Sequence, residues 1–310
     1  MYKDISFSLD KISNLSVCWV LLFVLGAIWG SSFLCVDIAL KSFSPLQIAA
    51  SRIFIGALLL TGLSISMGYS SRDLRLGQDS TWLYCLGMAI FTNALPFSLL
   101  CWAQLQVSSS FAGISMTMVP LLIIPLAHFF IPREQFTVRK ILGVSIGSVG
   151  ILMLFGLNDT FQEIISSANF LPKIACVLAA LCYAIGSIIT KRSPEIPQLV
   201  FSSTALVFAS LLIIPPALFL GHPLPSDSNW AILSLVYLGV APTGLATLIL
   251  VYIIKTIGPS FLSKVNFLVP IWAVIFGVYF NNEILHFNFL TALFLIFLGI
   301  FISQQRAERY

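Results

Sequence analysis

Ten long stretches of apolar residues leave this chain few folds to choose from. They fall at about 17–36, 46–66, 82–104, 109–131, 138–156, 172–190, 198–220, 230–253, 261–281 and 287–303. A helix of about 20 apolar residues spans the roughly 30 Å hydrocarbon core of a bilayer. The runs lack the strict alternation that a β-barrel strand of roughly 10 residues requires, so strands are not expected. The longest connections, 67–81 and 157–171, are 15 residues each, too short for a soluble domain. The expected fold is an all-α integral membrane protein with ten transmembrane helices. Any function then takes place within or across the bilayer.

Composition agrees. Of the 310 residues, 58% are hydrophobic and 9% charged, whereas a soluble surface carries roughly 25–35% charged residues. A soluble enzyme, a disordered chain and a nucleic-acid binder are excluded. The net charge of +4 is scattered over short loops, so it is not a nucleic-acid footprint. The first run exceeds the roughly 7–15 residues of a signal-peptide core and lacks a small-residue cleavage site, so it reads as a retained first helix. The six cysteines, Cys18, Cys35, Cys85, Cys101, Cys176 and Cys182, lie in apolar runs without a C-x-x-C pair. They read as packing residues.

The basic residues predict orientation, because Lys and Arg accumulate on the cytoplasmic side. Twelve fall on one side: Lys3, Lys11, Arg72, Arg75, Arg133, Arg139, Lys140, Lys191, Arg192, Lys255, Arg306 and Arg309. Lys41 and Lys173 fall on the other, and Arg52 and Lys264 lie within apolar runs. Both termini are therefore expected in the cytoplasm, in a multi-pass protein of the inner (plasma) membrane.

The chain also repeats itself at an offset of about 148–156 residues. Trp82 aligns with Trp230, and Ser110, Gly113 and Pro120 with Ser260, Ser263 and Pro270. Glu134 aligns with Glu283, Gly150-Ile151 with Gly299-Ile300, and Pro45 and Pro197 each open a helix. Each half holds five helices. An odd number sends the second half into the membrane from the opposite side, and such inverted repeats are a transporter architecture.

Three stretches carry a family resemblance. The first helix reads Ala27-Ile28-Trp29-Gly30-Ser31-Ser32-Phe33; the fourth and its exit read SSSFAGISMTMVPLLIIPLAHFFIPREQF; the ninth reads PSFLSKVNFLVPIWAVIFGVYFNNEIL. The pattern resembles the EamA-type branch of the drug/metabolite transporter superfamily over about 17–304. The resemblance implies two inverted five-helix repeats, 17–156 and 171–304, carrying small metabolites. It also implies a central cavity lined by the first, third, fourth, sixth, eighth and ninth helices. The family usually has Gly before the Glu that follows the fourth and ninth helices; here Arg133 and Asn282 stand there. Lys264 is an unusual charge for the ninth helix.

Within the runs, polar and aromatic residues at depth are the candidates for substrate contact: Trp29, Asn93, Thr117, Tyr183, Tyr237, Thr243 and Asn266. Each has a plainer reading as interhelical packing or hydrogen-bonding glue. Pro120 and Pro270 each free a backbone carbonyl inside a helix, which predicts a paired bend beside a cavity. Trp19, Trp82 and Trp230 read as interface anchors. Arg52 lies seven residues past Pro45, about 10 Å into its helix, and needs a partner at that depth. Structural pairing with Asp37 is one reading; binding a substrate carboxylate or forming an outer gate is another; snorkelling is a third. Lys264 can snorkel or meet Glu134. Glu134 and Glu283 are expected to cap the helices that follow them, with a coupling role as the alternative.

No phosphate-binding G-x-x-x-x-G-K-[ST] motif, metal-ligand spacing or Ser–His–Asp set occurs, so the chain is expected to be no enzyme and to need no cofactor or metal. ATP-driven transport by this chain alone is excluded on the same grounds. The expected partners are a small-molecule substrate and the lipid bilayer, with no nucleic acid, in a monomer or weak homodimer. Export of amino-acid-like or amphiphilic metabolites by alternating access is the leading expectation. A membrane channel or structural subunit without saturable transport, and a lipid-acting membrane enzyme, are the rivals.

Overall fold

A computed structural model describes residues 2–69, 80–130, 137–155, 169–194, 196–220, 229–256, 265–284 and 287–304. Among these residues every regular element is helical, and they form ten rods. We number them α1 (Tyr2–Leu40), α2 (Pro45–Ser66), α3 (Thr81–Ala103), α4 (Ser109–Phe130) and α5 (Val138–Phe155). The second five are α6 (Phe170–Arg192), α7 (Gln198–Leu220), α8 (residues 229–256), α9 (Val265–Asn281) and α10 (Phe287–Gln304). Arg72, Arg75, Arg133, Glu134, Ser260, Ser263, Lys264, His222, His286, Arg306 and Arg309 lie outside the described residues.

Seven rods are long and apolar enough to cross a membrane. Val265–Asn281 and Phe287–Ser303 are shorter apolar helices. The apolar run of the ninth helix begins near 261, before its described part. α5 has 18 residues and opens with Arg139 and Lys140 beside Val138.

Helix ends obey local chemistry. Ser44 caps α2: its hydroxyl accepts from the Gln47 N–H at 3.3 Å, and the Gln47 side chain accepts from the Ser44 N–H at 2.9 Å. Pro45 follows at the first helical position, where its missing N–H has no partner to lose.

Packing follows the rule for helices in lipid, where small residues face neighbours and large apolar ones face outward. Ala49, Ala89, Ala112, Ala179, Ala205 and Ala292 are fully buried, while Leu58, Phe219, Phe280 and Phe294 are exposed. The tightest seam joins α5 to α10. A Cβ added at Gly143 would strike the Gly299 carbonyl oxygen, and one at Gly299 would strike that of Gly143. No residue but Gly fits that approach.

Exchanging each helix for the one five places later preserves the principal packing. α1 packs on α8 and α9 as α6 packs on α3 and α4; α2 packs on α8 as α7 packs on α3. The pairs α2–α7, α4–α9 and α5–α10 map onto themselves. Among the described residues, α1–α5 and α6–α10 thus have equivalent packing partners.

The equivalence extends to a local irregularity. α3 and α8 each pass through a π-turn, Ala89–Ala94 and Gly239–Leu245, and these start 150 residues apart. In the first, Asn93 Nδ2 donates to the Met88 carbonyl at 3.2 Å. In the second, Thr243 Oγ1 donates to the Leu238 carbonyl at 2.8 Å. Leu238 is four residues before Pro242, so a regular helix would leave its carbonyl without a donor. Thr243 supplies one.

The two aligned prolines, expected to make a paired bend, sit in different local structure. α4 is interrupted at Met116–Thr117, between Ser109–Ser115 and Met118–Phe130. There the Val119 N–H turns to the Met116 carbonyl at 3.2 Å, the carbonyl that Pro120 cannot serve. α9 runs through Pro270 without interruption. The aligned residues explain the difference. Thr117 donates its hydroxyl to the Ile114 carbonyl at 2.6 Å, offering the backbone a local alternative; Phe267, at the matching position, has no such group.

Candidate functional site

The close approach of α2 to the π-turn of α8 sets the site's floor. A Cβ at Gly56 would come within 2.6 Å of the Thr243 methyl, and one at Gly239 would strike Ile55. One turn before Gly56, Arg52 is only 6% exposed. Its guanidinium carbon lies 3.8 Å from the centre of the Phe97 ring. Phe97 stands on the segment of α3 that follows its π-turn. The Tyr183 ring, from α6, meets Phe97 edge-on at 6.5 Å. The titratable groups that feel the Arg52 charge are Cys101, Tyr183 and Cys35. Side chains of α1, α2, α3 and α6 thus converge on one buried cation.

The expected pairing of Arg52 with Asp37 is not formed. Asp37 is surrounded instead by Lys41, Glu283 and Asn281. The α1 group that feels the Arg52 charge is Cys35. Positions two apart on a helix point in nearly opposite directions, so Asp37 cannot share that face. Arg52 is instead buried among protein side chains.

Beside this cluster, α1 is tied to α8. Trp29 Nε1 donates to the Pro242 carbonyl at 3.1 Å, and the Ser31 and Tyr237 hydroxyls are 2.6 Å apart, sharing a hydrogen bond. Trp29 and Tyr237, both half-buried, therefore stand together with the second π-turn. Asn93 and Thr243 are buried, at 6% and 5% exposure, and each spends a donor on its own helix. Thr117 is fully buried in the α4 interruption. Asn266 is half-buried near the described start of α9, and Pro270 is buried within that helix. The structure brings together Arg52 and Tyr183, and separately Trp29, Tyr237 and Thr243. Thr117 and Pro120 stand at the interruption of α4, and Asn266 and Pro270 stand on α9.

Glu283 departs from its expected role. Among the described residues it caps α4, in the other half. Its Oε1 accepts from the Ser109 N–H at 2.9 Å and the Ser109 hydroxyl at 2.6 Å, and its Oε2 from the Ser110 N–H at 3.0 Å. Asn282 makes this possible. Its φ of 52° is the left-handed conformation that closes a helix, and the Glu283 N–H returns to the Gly277 carbonyl at 3.1 Å. Asn is the side-chain-bearing residue best suited to that region, so it does the work of the usual glycine. Gly277 leaves room: a Cβ there would lie 2.6 Å from Glu283 Oε2. Burial pushes the Glu283 carboxyl up, but hydrogen bonds from Ser109 and Ser110 outweigh it and hold it below its ordinary value.

Sequence reasoning missed Phe97 and Cys101. The signal was available, because Phe97 directly follows the helix-bending Pro96.

The EamA-like transporter family matches the chain twice, at residues 17–156 and 172–304. Similar proteins include YoaV of Bacillus subtilis (strain 168), an uncharacterized transporter. It is 23% identical over 278 residues, covering 89% of this chain and 92% of that protein. YedA of Escherichia coli (strain K12), an uncharacterized inner membrane transporter, is 23% identical over 269 residues, covering 85% and 83%. One crystal structure shares the fold with a TM-score of 0.66 at 19% identity, covering 95% of this chain and 99% of that one.

Proposed function

Because the chain belongs to the EamA-like transporter family, we propose that it moves a small amphiphilic or amino-acid-like metabolite across the membrane by alternating access. That it is a multi-pass membrane transporter follows from the family and its apolar helices. The observation that carries the mechanism is the preserved packing under exchange of α1–α5 for α6–α10. Two related halves that meet along α2–α7 and α4–α9 can rock about a site between them. The two units correspond to 17–156 and 171–304, and their five-helix count makes the second inverted with respect to the first. The charge split of the loops supports both termini in the cytoplasm. Glu283 then lies at the outer face and latches the second half to the start of α4. Export is the favoured direction.

Counterflow in proteoliposomes tests the reading. Saturable, trans-stimulated flux of at least one amino acid or related metabolite is expected. Flux that rises linearly with concentration and shows no trans-stimulation would instead identify a channel. Trp29→Phe, which loses the bond to Pro242, and Asn93→Ala should each lower flux at unchanged membrane abundance. Normal flux in both variants would remove them from the transport path.

A further inference from the structure

Among the described residues, Arg52 is the one charged side chain that is buried. Its Nε has no hydrogen-bond partner, and among the described residues the titratable groups that feel its charge are Cys101, Tyr183 and Cys35, none of them a carboxylate. The Phe97 ring, 3.8 Å from the guanidinium carbon, attracts the cation but satisfies none of its five in-plane donors as a carboxylate would. A cation at membrane depth is expensive, so it is expected to have a partner. Among the described residues this cation has no carboxylate partner, in an aromatic setting formed by four helices.

We infer that the missing partner is the transported solute, and that Arg52 receives its carboxylate. This rests on the transporter reading above and narrows it to solutes with a single negative carboxylate group, amino acids included. The planar fork of a guanidinium matches two carboxylate oxygens. A single fixed charge balances a monoanion. A phosphate dianion would leave excess negative charge where no second buried cation stands among the described residues. Phe97 holds the guanidinium in place, so little order is lost when the solute docks.

The test uses the full-length protein in proteoliposomes and matched pairs of solutes: L-phenylalanine with L-phenylalaninamide, L-leucine with L-leucinamide, benzoate with benzamide. Inorganic phosphate serves as the dianion. The acids are expected to show saturable counterflow and the amides are not. Arg52→Lys keeps the charge but loses the fork and should weaken uptake about tenfold; Arg52→Met should abolish it. A second readout separates binding from support. In detergent, Arg52→Met should melt at or above the temperature of the unmodified protein, because an unpaired buried charge is removed. If the amides move as fast as their acids, or phosphate is preferred, the inference is overturned and the transporter reading stands. If Arg52→Met melts lower yet carries the acids normally, Arg52 is a structural cation on Phe97 and the inference is overturned. If no solute in the panel shows saturable flux, the transporter reading falls and this inference with it. Should Arg52→Met fail to reach the membrane, Arg52→Lys and the acid–amide comparison still decide.

Discussion

Asn282 and Glu283 show how two adjacent residues tie distant helices. The left-handed turn at Asn282 aims the following carboxylate at the first N–H groups of α4, which no helix can satisfy internally. Asn282→Gly should be nearly neutral, whereas Asn282→Ala should cost about 1–2 kcal/mol, read as a lower melting temperature in detergent. Glu283→Gln should cost about 0.5–2 kcal/mol as a lost cap. Because Glu283 titrates below its ordinary value, its contribution is complete above the usual carboxylate range and disappears as pH falls through the lowered value. The melting difference between the unmodified protein and Glu283→Gln should therefore persist from neutral pH down to the carboxylate range and vanish below it. Sequence showed that this glutamate is an N-cap but not of which helix. Proximity along the chain favoured α10, and only the tertiary fold brings α4 within reach. Arg52 was legible as a charge in need of a partner; that Asp37 is not that partner depends on the facing of α1, which one residue of phase decides.

At the scale of elements, the helices themselves were legible because runs of apolar residues near 20 long have one solution in lipid. The π-turns were not, since they use the same residue types as an α-helix and differ by one hydrogen-bond register. A polar residue recurring at the same depth in both halves, Asn93 and Thr243, is the trace they leave. Thr243→Val removes the side-chain hydrogen bond to the Leu238 carbonyl and should lower stability by about 0.5–1.5 kcal/mol, measurable by thermal melting. The α5–α10 seam makes a sharper demand. Gly143→Ala and Gly299→Ala each force backbones apart and should cost about 1–3 kcal/mol, with reduced membrane abundance. Gly62→Ala, with open space at its Cβ, is the matched control that should not.

For the whole molecule, the repeat was visible as scattered identities such as Trp82 with Trp230, but the preserved packing of α1–α5 against α6–α10 required coordinates. The predicted orientation can be checked in a cysteine-free background: a cysteine at position 75 should react with an impermeant maleimide from the cytoplasmic side, and one at position 227 from the outside. The opposite pattern would invert every assignment of inner and outer face. The two π-turns have a consequence for the assembled bundle. Each carries one residue more than an α-helical turn needs, so everything after it is rotated by about 100° about the helix axis. Deleting one residue within Ala89–Ala94 would let α3 run as a regular helix with Phe97 and Cys101 still toward the Arg52 guanidinium, whereas re-forming the same residues as α-helix would swing both away. The azimuth of a helix, set several residues upstream, thus determines whether the buried cation has a ring beneath it at all.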